Sequence, residues 1–180
     1  MTATTRQPTN KDLLQTTKFL LAFTRLPGAT FFCQSVNLPG ISLSEVPRNT
    51  PFVDLYVPGE KLQYDTFNVT FLVDEDLQSW QQLHDWIRGM TFPVDFKEYR
   101  DLNKLSDTSV FRQGARLPVQ YTDAILTVYT NKNNVNFRVS FKDVFPISLT
   151  GVQFNAADNA EYIVSADASF RFSYYDIERF

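Results

Sequence analysis

Cysteine, histidine and glycine are all scarce in this 180-residue chain, with one, one and six copies. A lone Cys33 allows no internal disulfide, which fits a reducing compartment and sets aside disulfide-stapled scaffolds. It lies in the strand-like run Thr30-Phe31-Phe32-Cys33-Gln34 and reads as a small packed side chain rather than a reactive thiol. His84 is the sole histidine, so a Ser-His or Cys-His hydrolase would have a single possible base, and that base reads as a helix-surface or boundary residue. No Walker loop, dinucleotide glycine motif, zinc-ligand spacing or nucleophile elbow occurs. The acidic trio Asp74-Glu75-Asp76 lacks the ligand and glycine pattern of an EF-hand. An enzyme, a cofactor and a metal are therefore not expected. Long hydrophobic runs are missing too. Phe19-Leu20-Leu21-Ala22-Phe23 ends at Thr24 and Arg25, too short for a signal peptide or a membrane span, so no membrane anchor is expected. A net charge of −3 gives no basic excess for gripping nucleic acid, although a surface could still pass nucleic acid without holding it.

Aromatic side chains are abundant instead: 17 Phe and 8 Tyr suit pleated sheets and buried interfaces. Residues 1–17 are polar and Thr-rich and read as a flexible arm; 18–180 reads as one domain. Lys18–Arg25 and Thr30–Asn37 read as strands of a hairpin turned at Pro27-Gly28. Ile41–Val46 and Phe52–Val57 are extended, with Pro47 and Pro51 between them and a turn at Pro58-Gly59. This interrupted stretch suits an arm reaching between neighbours, with Ile41, Val46, Phe52 and Tyr56 as its contacts. Thr66–Val73 alternates cleanly, with Phe67, Val69, Phe71 and Val73 on one face. In the C-terminal third, Ala124–Tyr129 and Val135–Phe141 flank a turn at Asn131-Lys132-Asn133-Asn134. Ile147–Asn155 follows Phe145-Pro146, a turn is expected at 156–159, and Ala168, Phe170, Phe172 and Tyr174 share one face of the last strand.

One helix stands out, over about residues 76–90. An Asp of the trio can cap it, and all three carboxylates favour the positive end of its dipole. Trp80, Leu83, Ile87 and Met90 recur at helical spacing and form the expected core stripe, with Trp86 at the core edge or facing a partner. Residues 94–118 mix charges with Phe96, Tyr99 and Phe111 and read as an irregular insertion that contacts a neighbour. The whole is a mainly β chain: an antiparallel β-sandwich or barrel of about eight strands with one flanking α-helix.

Several local phrases occur in a telling order. Phe32-Cys33-Gln34 leads into Leu38-Pro39-Gly40-Ile41; the Thr66–Val73 strand enters Asp74-Glu75 and the Trp80/Trp86 helix; Phe145-Pro146-Ile147-Ser148 precedes the closing Phe170-Arg171-Phe172-Ser173-Tyr174-Tyr175. From about Lys18 to its end the chain resembles the tail tube proteins of contractile-tailed bacteriophages. The resemblance implies a fold shared with the tube of type VI secretion systems, and hexameric rings that stack into a hollow tube. It implies as partners further copies of the chain, the tail sheath, a baseplate or tube initiator, a tail terminator, and viral DNA passing through the lumen without specific binding. The place would be the virion tail, assembled in the host cytoplasm. Glu45 and Asp54 are then candidates to face the lumen and repel phosphate. A tube initiator or tail-completion protein of the same fold is the alternative reading, and a monomeric β-sandwich ligand-binding module using Trp86 is a more remote one.

Overall fold

A single strand of fifteen residues, too long for one flat sheet, organises the molecule. The computed structural model describes residues 13–14, 16–24, 32–91, 93–105 (backbone only for 101–105), 120–155 and 163–180. Its strands are β1 (Phe19–Phe23), β2 (Cys33–Val36), β3 (Ile41–Arg48), β4 (Leu55–Tyr64), β5 (Phe67–Leu72), β6 (Thr122–Tyr129), β7 (Val135–Leu149), β8 (Ser165–Arg171) and β9 (Tyr174–Arg179). Helix α1 spans Gln78–Thr91 and helix α2 spans Phe96–Leu105.

All pairings are antiparallel. The first half of β7 lies between β6 and β9, with β1 beyond β6; its second half pairs with β8, followed by β5 and β2. The changeover falls at Asp143, whose φ of 55° bends the strand out of the first sheet. β8 and β9 run one after the other along β7, from Ala168 opposite Leu149 to Arg179 opposite Phe137. One bent ribbon thus joins two halves of a β-sandwich and removes two edges that would otherwise be open.

The core sits between these halves. β5 supplies Phe67, Val69 and Phe71 at 0–2% exposure, and β8 sets the small Ala168 and Ala166 opposite Val69 and Phe71. Leu21, Phe23, Leu126, Val139 and Phe141 come from the other half. Phe67 packs at a tilt against Phe141, 4.4 Å centroid to centroid, and the Trp86 indole of α1 approaches Phe170 at 6.4 Å.

Several local expectations give way to this topology. β1 and β2 do not form a hairpin: β1 pairs with β6 and β2 with β5, so the two strands belong to opposite halves. The turn expected at 26–29, the turn at 156–159, most of the 1–17 arm and residues 106–118 lie outside the described residues. Pro146 does not end a strand; it occupies an inward position of β7 where its missing N–H costs little beside a bulge. Pro58-Gly59 likewise lies within β4 rather than at a turn. The 94–118 stretch contains a regular helix, α2, tied to α1 by the Arg88–Glu98 ion pair at 2.5 Å. The 131–134 turn is formed, with Asn133 at φ 62° and Thr130 N–H donating to the Asn134 carbonyl at 2.8 Å.

Candidate assembly interface

Among the described residues β3 and β4 pair only with each other and make a hairpin apart from the seven-stranded sheet. Ile41, Val46, Tyr56 and Val57 favour extended backbone despite Pro47, Pro58 and Gly59, but the hairpin carries no core of its own. Every Ile, Leu, Val, Phe and Tyr from Ile41 to Leu62 is exposed, from 46% at Val57 to 98% at Phe52. An isolated two-stranded hairpin is marginal in water, and exposed apolar side chains in this number are characteristic of interaction sites. Covering each such side chain is worth roughly 1.5–3 kcal/mol at full burial.

The base of the hairpin is anchored. Tyr64 packs against Phe172 and Tyr175 at 5.2 and 5.3 Å, and the Arg171 guanidinium donates to the Tyr64 carbonyl at 3.1 Å. Asp65 N–H donates to the Gly40 carbonyl at 3.0 Å. Between base and tip the register slips: Leu43 faces Leu62, but Glu45 faces Pro58. Ser44 therefore opposes three residues, and its Oγ accepts from the Lys61 N–H at 3.3 Å. Gly59 lies so close to Ser44 that an added Cβ would meet its Oγ at 2.3 Å and its carbonyl oxygen at 2.7 Å. Such a bulge bends and twists a ribbon and sets where its tip points. A cleft of about 570 Å³ opens beside the base, lined by Ser42, Leu62, Asp65, Arg171 and Ser173 among others.

The four residues expected on an inter-subunit arm, Ile41, Val46, Phe52 and Tyr56, all stand exposed on this hairpin. Glu45 and Asp54 are exposed on it as well, Glu45 within β3 and Asp54 in the tip before β4. Sheet edges add further open surface: among the described residues, β1, β2 and β9 each pair on one side only. Beside the β9 edge stand Tyr174, Ile177 and Phe180, 47–70% exposed.

The helix lies elsewhere, against the core. Of the expected stripe, Leu83 is fully buried, while Trp80, Ile87 and Met90 are half-buried. The deepest residues are Ser79, Leu83, Trp86 and Gly89, so the buried arc is centred about one residue earlier than the expected stripe, and Trp86 is a core residue at 2% exposure. Trp80 packs at the margin, where its indole N–H donates to the Thr150 carbonyl at 3.0 Å and its ring stacks on His84. His84 also makes a polar contact: its Nδ1 lies 3.2 Å from the Asp85 carboxylate. Asp74 caps α1: its carboxylate accepts from the N–H groups of Gln78 and Ser79 at 3.1 and 3.0 Å and from the Ser79 hydroxyl. The Ser79 hydroxyl foremost, with the backbone N–H groups, holds the Asp74 carboxyl below its usual range. Burial pushes the Cys33 thiol up to about 11, so it stays protonated and unreactive. Among the described residues no three His, Cys, Asp or Glu side chains gather as metal ligands, and no helix is long and apolar enough to cross a membrane.

Comparison with known proteins gives this body and its exposed hairpin a lineage. The tail tube terminator protein of Enterobacteria phage T4 is 23% identical over 156 residues, covering 83% of this chain and 78% of the T4 protein. The tube-terminating cap of the anti-feeding prophage shares the fold, with a TM-score of 0.64 at 15% identity over the full length of both chains. A chain of the sheath–tube complex of the extracellular contractile injection system PVC, in its extended state, gives 0.61 at 15% identity over 94% of each. The family model described as phage tail tube protein matches residues 18–178. The chain belongs to the phage tail tube protein family.

Proposed function

We propose that this chain forms a hexameric ring that closes the end of a contractile tail tube, as a tube terminator. The observation that carries the ring is the β3–β4 hairpin. Its apolar side chains project from the body and need a second copy to cover them, and a contact in which one copy's hairpin meets a different surface of the next is head-to-tail. Head-to-tail contacts close into rings when the rotation per subunit divides a full turn. The terminal position is supported by the kinship with the T4 tail tube terminator over 83% of this chain. In this reading the ring seats on the last ring of the tube, meets the sheath at its outer surface, and leaves an axial opening for the genome. The chain then works as a structural component of the virion tail.

A repeating subunit of the tube body is the second reading. It is favoured by the tail tube description of the family model and by the likeness to a chain of a sheath–tube complex. The two differ in one physical respect. A tube subunit has two stacking faces that fit each other, so rings add without limit, whereas a terminator has only one that fits. Negative-stain electron microscopy of the purified chain across a concentration series tests this. Single rings that do not grow, and that add to one end of preformed tubes, are expected for a terminator. Long hollow filaments would establish the tube-body reading instead, and a chain that stays monomeric at high concentration would overturn both.

A further inference from the structure

We propose that the cleft at the base of the β3–β4 hairpin is the socket for the tip of the same hairpin on the next copy, so that hairpins join tip to base around the ring. The inference rests on the ring reading above and adds to it the surface that receives the hairpin. The tip, residues 48–54, has a fixed shape. Thr50 and Val53 close it: the Val53 N–H donates to the Thr50 hydroxyl oxygen at 3.3 Å, and that hydroxyl donates to the Val53 carbonyl. Pro51 narrows the backbone choices inside the turn. Phe52 is thereby held outward at 98% exposure. Arg48 and Asp54 flank it with opposite charges, both exposed.

The cleft is complementary to such a tip. Its floor is aromatic: Tyr64 packs on Phe172 at 5.2 Å, and Phe172 in turn meets the buried Phe141 edge-on at 5.2 Å, so the floor is fixed before a partner arrives. Leu62, about half exposed, stands beside it. The rim is polar and carries one charge of each sign. Arg171 uses a single N–H on the Tyr64 carbonyl, at 3.1 Å, and a guanidinium has five, so a carboxylate can be gripped there as well. The Asp65 carboxylate lies over Gly40, where an added Cβ would meet its Oδ2 at 2.6 Å. An apolar anchor in a pocket ringed by polar groups is the common form of a strong contact. Phe52 suits the floor, Asp54 suits Arg171, and Arg48 suits Asp65. In this proposal Asp54 meets a guanidinium of the next copy rather than the lumen.

Reach decides between the same copy and the next. The ten residues of β4 run between tip and base, about 30 Å at ~3.3 Å per residue, so a tip cannot enter its own cleft. Two complementary surfaces at opposite ends of one element pair only between copies, head-to-tail, and an unclosed row of copies leaves one empty cleft and one bare tip. Closing the ring fills both.

Crosslinking of the full chain tests the socket. In a Cys33→Ser background, Asn49→Cys at the tip is combined with Ser173→Cys at the cleft and treated with a short bis-maleimide. A ladder of covalent oligomers up to the hexamer is expected. No ladder is expected from either cysteine alone, or when Asn49→Cys is combined with Asp85→Cys on α1. A second readout swaps charges. Asp54→Arg and Arg171→Glu should each raise the concentration at which rings form by about tenfold, and the two together should recover most of that loss. Loss of the hydrogen bond to Tyr64 could not be rescued from the tip, so recovery separates a contact between copies from a role inside one chain. Should Arg171→Glu fail to fold, Arg48→Glu with Asp65→Arg asks the same question of the other charge pair. Rings that give no ladder with Ser173→Cys, a ladder through Asp85→Cys instead, or charge swaps without recovery overturn the socket while leaving the ring intact. A parent chain that forms no ring overturns the ring reading, and the socket falls with it.

Discussion

Two tryptophans six positions apart on α1 have different energetic roles. Trp86 is sealed in the core beside Phe170, so Trp86→Ala should cost about 3–5 kcal/mol through lost transfer energy and the cavity left behind. Trp80 is half-buried with its N–H on Thr150, and Trp80→Ala should cost clearly less. Chemical denaturation of both variants checks the order, and equal losses would contradict the helix register. Asp74 carries a second residue-scale prediction. Asp74→Ala should cost about 0.5–2 kcal/mol at neutral pH by freeing the first N–H groups of α1. The folded pKa of Asp74 is lowered from its ordinary 3.8, so its contribution is present above that pH and fades as pH falls towards the folded value. The gap between parent and Asp74→Ala should therefore narrow on acidification below about pH 4. The cap was legible because an Asp before an apolar periodic run has one common role. The centre of the buried stripe was less so: Trp80, Leu83, Ile87 and Met90 fit the helical period, and with Trp86 between Asp85 and Ile87 spacing alone could not decide which way the helix rolls onto the sheet.

At the scale of elements, the alternation of β5 and β8 was readable because each has one dry face, and a two-residue period can serve only one face at a time. Partnership between strands was not readable in the same way. β1 and β2 look like a hairpin because they are neighbours in sequence around a Pro-Gly, yet each pairs with a strand far along the chain. The prolines misled for a related reason. Pro47, Pro58 and Pro146 all sit within strands, Pro47 and Pro58 in a ribbon with no further sheet partners among the described residues and Pro146 next to a bulge, positions that tolerate an absent N–H. α2 carried a usable signal that its charges obscured: Phe96 and Tyr99 are spaced by three, and Asp95 stands before them. The most sensitive point of the hairpin is the Ser44–Gly59 bulge. Gly59→Ala would place a methyl carbon against the Ser44 backbone, so the bulge must rearrange and the tip must turn. The expected result is lost or misformed rings with little change in the melting of the body. Circular dichroism paired with electron microscopy separates the two, and normal rings from Gly59→Ala would show that the bend does not set the interface.

For the molecule as a whole, the balance of surfaces favours the proposed assembling part over a monomeric binding module. The body buries Phe23, Phe67, Phe71, Trp86, Phe141 and Phe170 in one core, but the hairpin leaves Val46, Phe52, Tyr56 and Val57 exposed, with no other strand paired to it among the described residues. A monomer would gain nothing from that arrangement and would bear the aggregation risk of an exposed apolar ribbon. If the hairpin's cover is a neighbouring copy, charges placed on it should abolish assembly while leaving the fold alone. Val46→Asp with Phe52→Asp alters two side chains that touch no core residue, so the free energy of unfolding of the isolated chain should shift by less than about 0.5 kcal/mol per site. Ring formation should fail, because each carboxylate would have to be desolvated against an apolar surface at a cost of several kcal/mol, repeated at every interface around the ring. Sedimentation velocity at matched concentrations reads this out as a monomer where the parent gives a ring. Persistence of rings in the double variant would mean that the hairpin points into solvent in the assembly, and that the open edges of β1, β2 and β9 hold the copies together instead.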